Sequence, residues 1–195
     1  MRIGILGTGA VATALGARWA THDLTVAGRS PANTRALADR LGATAATLRE
    51  AVTNSDVVLL AVRWEGVPDV LAAVGDALRG KTLIDPTNAV EHGVGVLLPS
   101  TSAAEFVAEG SGARVVKAFH LFPAAHWADA AGTTVALCGD DQDALTTVAE
   151  LVRETGATPA VLGPLSRARQ LEEVAGFVIG LAFAGVNPNS AIPST

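Results

Sequence analysis

Apolar positions follow two rhythms along this chain, and their alternation predicts the fold. Short continuous apolar runs, as expected of strands buried on both faces, occur at Arg2–Leu6, Leu24–Ala27, Asp56–Val62, Lys81–Ile84 and Arg114–Phe119. Between them, apolar residues recur at helical spacing. One such stretch runs from Val11 to Trp19. Another covers residues 32–41, with Ala36, Leu37 and Leu41 on one face, and a third carries Val67, Val70, Leu71, Val74 and Leu78. A minor strand is predicted near Ala43–Ala46, a brief helix around Leu48–Val52 and a helix over Ser102–Glu109. Further on, Thr133–Cys138 and Thr158–Leu162 read as strands flanking a helix that turns Leu145, Val148 and Val152 inward. The longest helix is predicted over about 165–184, with Leu165, Ala168, Leu171, Ala175, Val178 and Ala182 on one face and a second half apolar nearly all round. Such a helix fits a contact with a second subunit, so a homodimer through it is expected. Residues 89–101, 121–132 and the tail from Gly185 show neither rhythm and are predicted irregular.

Alternating strands and helices predict an α/β protein. The expected architecture is a Rossmann-type doubly wound, mostly parallel sheet with a small C-terminal strand-helix extension. One unit spans residues 1–195, with a core of about 1–120 and the extension over about 121–195.

The first strand runs directly into Gly7-Thr8-Gly9-Ala10-Val11-Ala12, a G-x-G-x-x-A turn that opens a helix and is followed by a second strand. In that context the residue types have a mechanism. Gly7 permits the tight turn, Gly9 lets a pyrophosphate approach the backbone, and Ala12 lets helix and strand pack closely. The helix start offers unpaired N–H groups and a positive dipole end to phosphate. A dinucleotide is the predicted ligand. Its type is read at the end of the second strand, where binders of NAD usually carry a carboxylate. Here Gly28, Arg29 and Ser30 stand in that place, with Arg35 one helical turn on. A guanidinium and a hydroxyl suit a 2′-phosphate that a carboxylate would repel, so NADP(H) is favoured. Ser30 also reads as the cap of the helix beginning at Pro31.

Composition narrows the partners. The chain has 195 residues, a formal charge of -5 and one cysteine. The acidic balance argues against nucleic acid and anionic membranes, leaving small molecules as expected ligands. Cys138 alone forms no internal disulfide, and no apolar run approaches the ~20 residues of a spanning helix. A strand at the very start leaves no room for a signal peptide, so a cytoplasmic location is expected.

Other chemistry is sparse. The chain has no G-x-S-x-G, no Cys-x-x-Cys and no His pair at i, i+4, and no metal site is predicted. His120 stands at the tip of the Arg114–Phe119 strand, where open α/β sheets bind ligands, and reads either as a ligand-bonding residue or as a buried structural histidine. Cys138 reads as inert core, Asp140 and Asp141 as helix-start charges, and Trp64, Phe122 and Trp127 as core or as ring-stacking walls.

Arg63-Trp64-Glu65, Lys117-Ala118-Phe119-His120-Leu121-Phe122-Pro123-Ala124-Ala125, Leu137-Cys138-Gly139-Asp140-Asp141 and Gly163-Pro164-Leu165-Ser166 occur in this order. Together with the glycine turn, they resemble the coenzyme F420-dependent NADP oxidoreductase family over essentially the whole chain. The resemblance implies direct hydride transfer between the nicotinamide C4 and the deazaflavin C5, the two rings held face to face. It implies Thr8, Gly9, Ala10 and Val11 around the pyrophosphate, and Arg29, Ser30 and Arg35 around the 2′-phosphate. It further places Val62, Arg63, Pro86, Thr87 and Asn88 beside the nicotinamide. His120, as the candidate catalytic residue, would line the deazaflavin pocket with Phe122, Ala124 and tail residues near Asn189. The sequence departs from the family at Arg63 and Gly66, after Asn88 and in the tail, which leaves the second substrate open. The alternatives are an NADPH-dependent flavin or ferric reductase, an NADP-dependent reductase of a small C=N or C=O substrate, and a non-enzymatic NADPH-sensing module.

Overall fold

The sheet is built on the fully apolar strand β4 (Val57–Leu60), every residue of which is buried. In the computed structural model, which describes residues 1–90 and 101–191, β1 (Arg2–Leu6) pairs parallel to β4 on one side. On its other side β1 pairs parallel to β2 (Asp23–Ala27). The two-residue strand β3 (Thr44–Ala45) extends this half, and β5 (Thr82–Asp85) and β6 (Arg114–Lys117) extend the other. β7 (Thr134–Gly139) and β8 (Thr158–Gly163) complete the order β3-β2-β1-β4-β5-β6-β7-β8. All neighbours are parallel except β6 and β7. That exception has a local cause. Residues 118–133 carry only a 3-10 turn, Ala124–Ala128, so no helix carries the chain back across the sheet and β7 must return antiparallel.

Period-two alternation splits the core into two layers. Ile3, Ile5, Val57 and Leu59 face α1 (Ala10–Arg18), α2 (Pro31–Leu41) and α6 (Gln142–Glu154), meeting Leu15, Leu37 and Val148 there. Leu6, Val58, Leu60 and Leu83 face the other way, toward α3 (Leu48–Thr53), α4 (Val67–Val74), α5 (Ala103–Ser111) and the first half of α7 (Ala168–Phe183). The expected α/β doubly wound fold is the observed one.

Several boundaries differ from the periodic reading, each for a stated reason. The helical face ending at Leu78 breaks at Gly75, whose φ of +56° stops α4; Leu78 lies instead in a 3-10 turn. The strand read through Phe119 stops at Lys117, because Phe119 adopts φ +60° and swings the chain out of the sheet. The helix expected from Leu165 starts as a 3-10 turn and becomes α-helical at Ala168. Of the irregular stretch expected over 89–101, residues 91–100 lie outside the described residues, as do 192–195 of the tail.

Helix starts follow from side chains next to them. Ser30 caps α2 by accepting from the Asn33 amide, Thr47–Glu50 and Ser102–Glu105 form capping boxes for α3 and α5, and Asp141 caps α6. α4 and α7 each follow directly on a 3-10 turn. Among the described helices α1 alone opens straight from a strand and a turn with no side-chain cap. Its first-turn amides are left for something else.

Candidate nucleotide and ring site

The β1–α1 turn is shaped around that bare helix end. Gly7 has φ +130°, and a Cβ there would lie 2.0 Å from the Ala61 carbonyl oxygen, so the protein itself requires glycine. Gly9 is different. Its backbone is extended, and a Cβ would meet nothing within 4 Å. The open space above Gly9 is therefore space for a ligand, and with no acidic residue in the first turn the α1 amides fit a pyrophosphate. Thr8, Ala10 and Val11 border the same opening, at the point where the strand order reverses between β2 and β4.

β2 delivers Ala27 and Gly28 to its end, and no carboxylate follows. Arg29 and Arg35 are exposed and form no ion pair with any described residue. Beside them opens a cavity of about 660 Å³ lined by Gly28, Pro31, Thr34, Arg35, Ala46 and Arg49. Arg49 donates to the Val74 carbonyl and to Asp76, which hold it at the rim. The sequence reading placed Arg35 here but missed Arg49 and Ala46. Their signal, a short strand and helix over residues 44–53, was seen without being linked to this end of the site.

The carboxyl ends of β4, β5 and β6 form the other half. Val62 is half-buried and Arg63 exposed beyond β4. Beyond β5, Asp85 folds the next residues by accepting from the Thr87 amide at 2.9 Å and from its hydroxyl at 2.6 Å. Pro86 and Asn88 flank Thr87, and the Asn88 side-chain amide donates to the His120 carbonyl at 2.7 Å. The structure thus joins two predicted segments, Pro86–Asn88 and His120, by one hydrogen bond. It also ties Arg63 to neither.

His120 is 7% exposed, and its Nδ1 has no partner among the described residues; nor has Asn88 Oδ1. Burial, with Lys117 nearby, pushes its pKa down to about 3. At neutral pH it is an uncharged imidazole. A cavity of about 150 Å³ opens beside it, lined by Phe119, His120, Phe122, Trp127, Leu171 and Val174. Phe122 stacks on His126 with ring centres 4.5 Å apart, and His126 Nε2 lies 2.6 Å from the Thr133 hydroxyl. Ala124 begins the 3-10 turn behind this wall, and Asn189 is exposed in a turn after α7.

The aromatic candidates sort differently. Trp127 is wholly buried and packs edge-on against Phe119, which also meets Trp19. Trp64 packs against Phe106 on the opposite layer. Cys138 is buried, its thiol pushed up to about 12 by desolvation, and is unreactive. Asp141 caps α6, and Asp140 accepts from the Leu165 amide at 2.8 Å, so both act at helix and turn starts.

The sequence reading missed the most costly feature of this end. Lys117, Asp85 and Glu172 are fully buried together, with Lys117 Nζ 3.0 Å from Asp85 and 2.7 Å from Glu172. A signal existed. Lys117 interrupts an apolar strand, and Glu172 falls on the same face of α7 as Ala168 and Ala175, so two misplaced charges of opposite sign were available to pair.

Known proteins resemble this chain in sequence and fold. The profile of the family described as "NADP oxidoreductase coenzyme F420-dependent" matches residues 2–89. The F420-dependent NADP reductase of Methanothermobacter marburgensis is 31% identical over 170 residues, covering 80% of this chain and 76% of that protein. The rat metalloreductase STEAP3 is 35% identical over 181 residues, 89% of this chain; the chain spans only 36% of its length. A solved structure from Arthrobacter sp. FB24, provisionally assigned as an F420-dependent NADP reductase, superposes with a TM-score of 0.82 at 23% identity, covering 95% of this chain and 96% of its own. No described helix is long and apolar enough to cross a membrane. With a nucleotide cradle of this form and a relative of this identity matched along most of both chains, the protein belongs to the family of coenzyme F420-dependent NADP oxidoreductases.

Proposed function

We propose that this chain exchanges a hydride between NADP(H) and a deazaflavin, coenzyme F420, in the cytoplasm. The nucleotide supplies the hydride chemistry; the chain supplies binding, alignment and exclusion of water. The α1 amides and Thr8 to Val11 would hold the pyrophosphate, and Arg29, Ser30 and Arg35 the 2′-phosphate. Val62, Arg63 and Pro86–Asn88 would border the nicotinamide. Phe122, Ala124 and His120 would border the acceptor, in a pocket completed by the extension over residues 121–191.

One observation carries the choice of acceptor. The titratable group lining the small cavity, His120, is a neutral, buried imidazole down to about pH 3. Reduction of a small C=N or C=O bond needs an acid at the heteroatom next to the carbon that receives hydride. Ring-to-ring transfer needs none there: the proton that balances the reaction enters from solvent at a distant ring nitrogen. His120 suits that second case, as a hydrogen-bonding wall. The likeness to the rat metalloreductase favours one alternative among the flavin and ferric reductases, reduction of a metal ion.

Mixing the protein with NADPH and oxidised deazaflavin is expected to bleach the visible band of the deazaflavin. Turnover of FMN, FAD or riboflavin with no such bleaching would replace this reading with that of a flavin reductase. Arg29→Ala is expected to weaken NADPH by about tenfold, as loss of a charged phosphate contact does, and NADH hardly at all. Equal loss for both in calorimetry would move the 2′-phosphate elsewhere. A homodimer belongs to the same proposal. The outer half of α7 and its surroundings leave Phe177 50% and Phe183 63% exposed, and sedimentation is expected to give twice the mass of the chain.

A further inference from the structure

Three buried charges sit where β5, β6 and α7 meet; they pair with one another and hydrogen-bond the segment after β5 and the first turn of α5. The Lys117 ammonium touches Asp85 and Glu172 and also donates to the Thr87 carbonyl. Asp85 uses its other oxygen on the Thr87 amide and hydroxyl. Glu172 accepts from the Ala103 amide at 2.8 Å and the Ala104 amide at 3.3 Å, at the first turn of α5. Apolar side chains filling the same space would be at least as stable, because desolvating such charges offsets their attraction. What apolar packing would not supply is direction. The ammonium fixes Thr87, at the exit of β5, to α7, and Glu172 in turn fixes α7 to α5.

Those partners adjoin two parts of the proposed ring site. Thr87 is the middle residue of the segment proposed to border the nicotinamide. Leu171, adjacent to Glu172, and Val174 line the small cavity beside His120. We propose that Lys117 and Glu172 are positioning residues for hydride transfer: their ion pair sets the nicotinamide-bordering segment Pro86–Asn88 against the α7 wall of the acceptor pocket. The inference rests on the hydride-transfer reading above. Near-attack geometry tolerates little displacement, and an ångström of misplacement costs on the order of a hundredfold in rate.

The test uses the full chain, with NADPH as the probe and whichever of deazaflavin or flavin the wild type reduces. NADPH affinity is measured by calorimetry, ring placement by the fluorescence emission of bound NADPH, and transfer by single-turnover absorbance at saturating NADPH. Glu172→Gln keeps the size of the side chain and removes its charge. It is expected to leave the Kd for NADPH within about threefold, because phosphate contacts dominate it, to shift the emission, and to slow transfer by at least about tenfold. Lys117→Met should act in the same direction, and the double variant should be no slower than Lys117→Met alone, since both remove one interaction. Should Lys117→Met fail to fold, Glu172→Gln carries the test. A purely structural pair would lower Tm while leaving emission and transfer rate per folded molecule at wild-type values, and that result overturns the proposal. A wild type that binds no NADPH overturns the hydride-transfer reading and this inference with it. A wild type that binds and transfers, matched by an equally fast Glu172→Gln, overturns this inference alone.

Discussion

The two ends of the crevice are built from different materials. The pyrophosphate cradle is almost all backbone and contiguous: β1, a turn and the bare start of α1, within residues 2–12. The ring end is side chains brought together from far apart. Asn88 meets His120 across 32 residues, and Ala103 meets Glu172 across 69. A backbone cradle recognises what every dinucleotide shares, a pyrophosphate. A site of assembled side chains, dependent on several long-range contacts at once, is where substrate choice and alignment are decided.

The sharpest way to break this contrast is inside the cradle itself. Gly7→Val places a Cβ against the Ala61 carbonyl in a backbone conformation valine rarely adopts, and is expected to cost about 3 kcal/mol or more, with loss of folded protein in urea melts. Gly9→Val two residues away meets only open space, so stability is expected to fall by no more than about 1 kcal/mol, the capping preference of glycine over valine. NADPH binding, measured by calorimetry, should nevertheless drop below detection. Equal stability for the two variants would show that the turn was misread.

At the ring end the comparison turns on pH. His120 is held neutral in the folded protein to about pH 3, whereas unfolded it titrates near 6.5. Between those values the unfolded chain binds the extra proton, so stability falls as pH is lowered through this window. The slope approaches about 1.4 kcal/mol per pH unit from this one group. Urea midpoints from pH 7 to pH 4 should show that slope, and His120→Gln should flatten it. A wild-type slope unchanged by the substitution would mean that the imidazole is open to water. The same neutrality predicts no limb from His120 in the rate profile between pH 5 and 8.

The smallest effect is expected farthest from the crevice. Asp56, paired with Arg2 at the other end of β1, has its pKa held down at about 2 by that partner's hydrogen bonds, from an ordinary 3.8. Its contribution is present above about pH 4 and lost as pH falls toward 2. Because the pair is solvent-exposed, Asp56→Asn should shift urea midpoints only slightly at pH 7 and not at all near pH 2.

How much was legible in advance follows the same division. β1, the glycine turn, α1 and the missing carboxylate after β2 could be read because each depends on neighbours in sequence and on backbone sterics. The strand and helix rhythms could be read because burial on one face or two imposes a period. Helix capping at Ser30 and Asp141 was likewise local. The seating of Phe119 at φ +60° was not; its ring packs edge-on against Trp19, a hundred positions away, and against Trp127. Nor was the neutrality of His120, a consequence of the elements that close over it. Lys117 and Glu172 looked like two unrelated irregularities, 55 positions apart, until the sheet and α7 put their charges within 2.7 Å. Local chemistry, then, determined the fold class and the phosphate cradle. Tertiary packing decided which groups lose water and which charges must pair, because desolvation depends on everything that surrounds a residue and not on its neighbours in the chain.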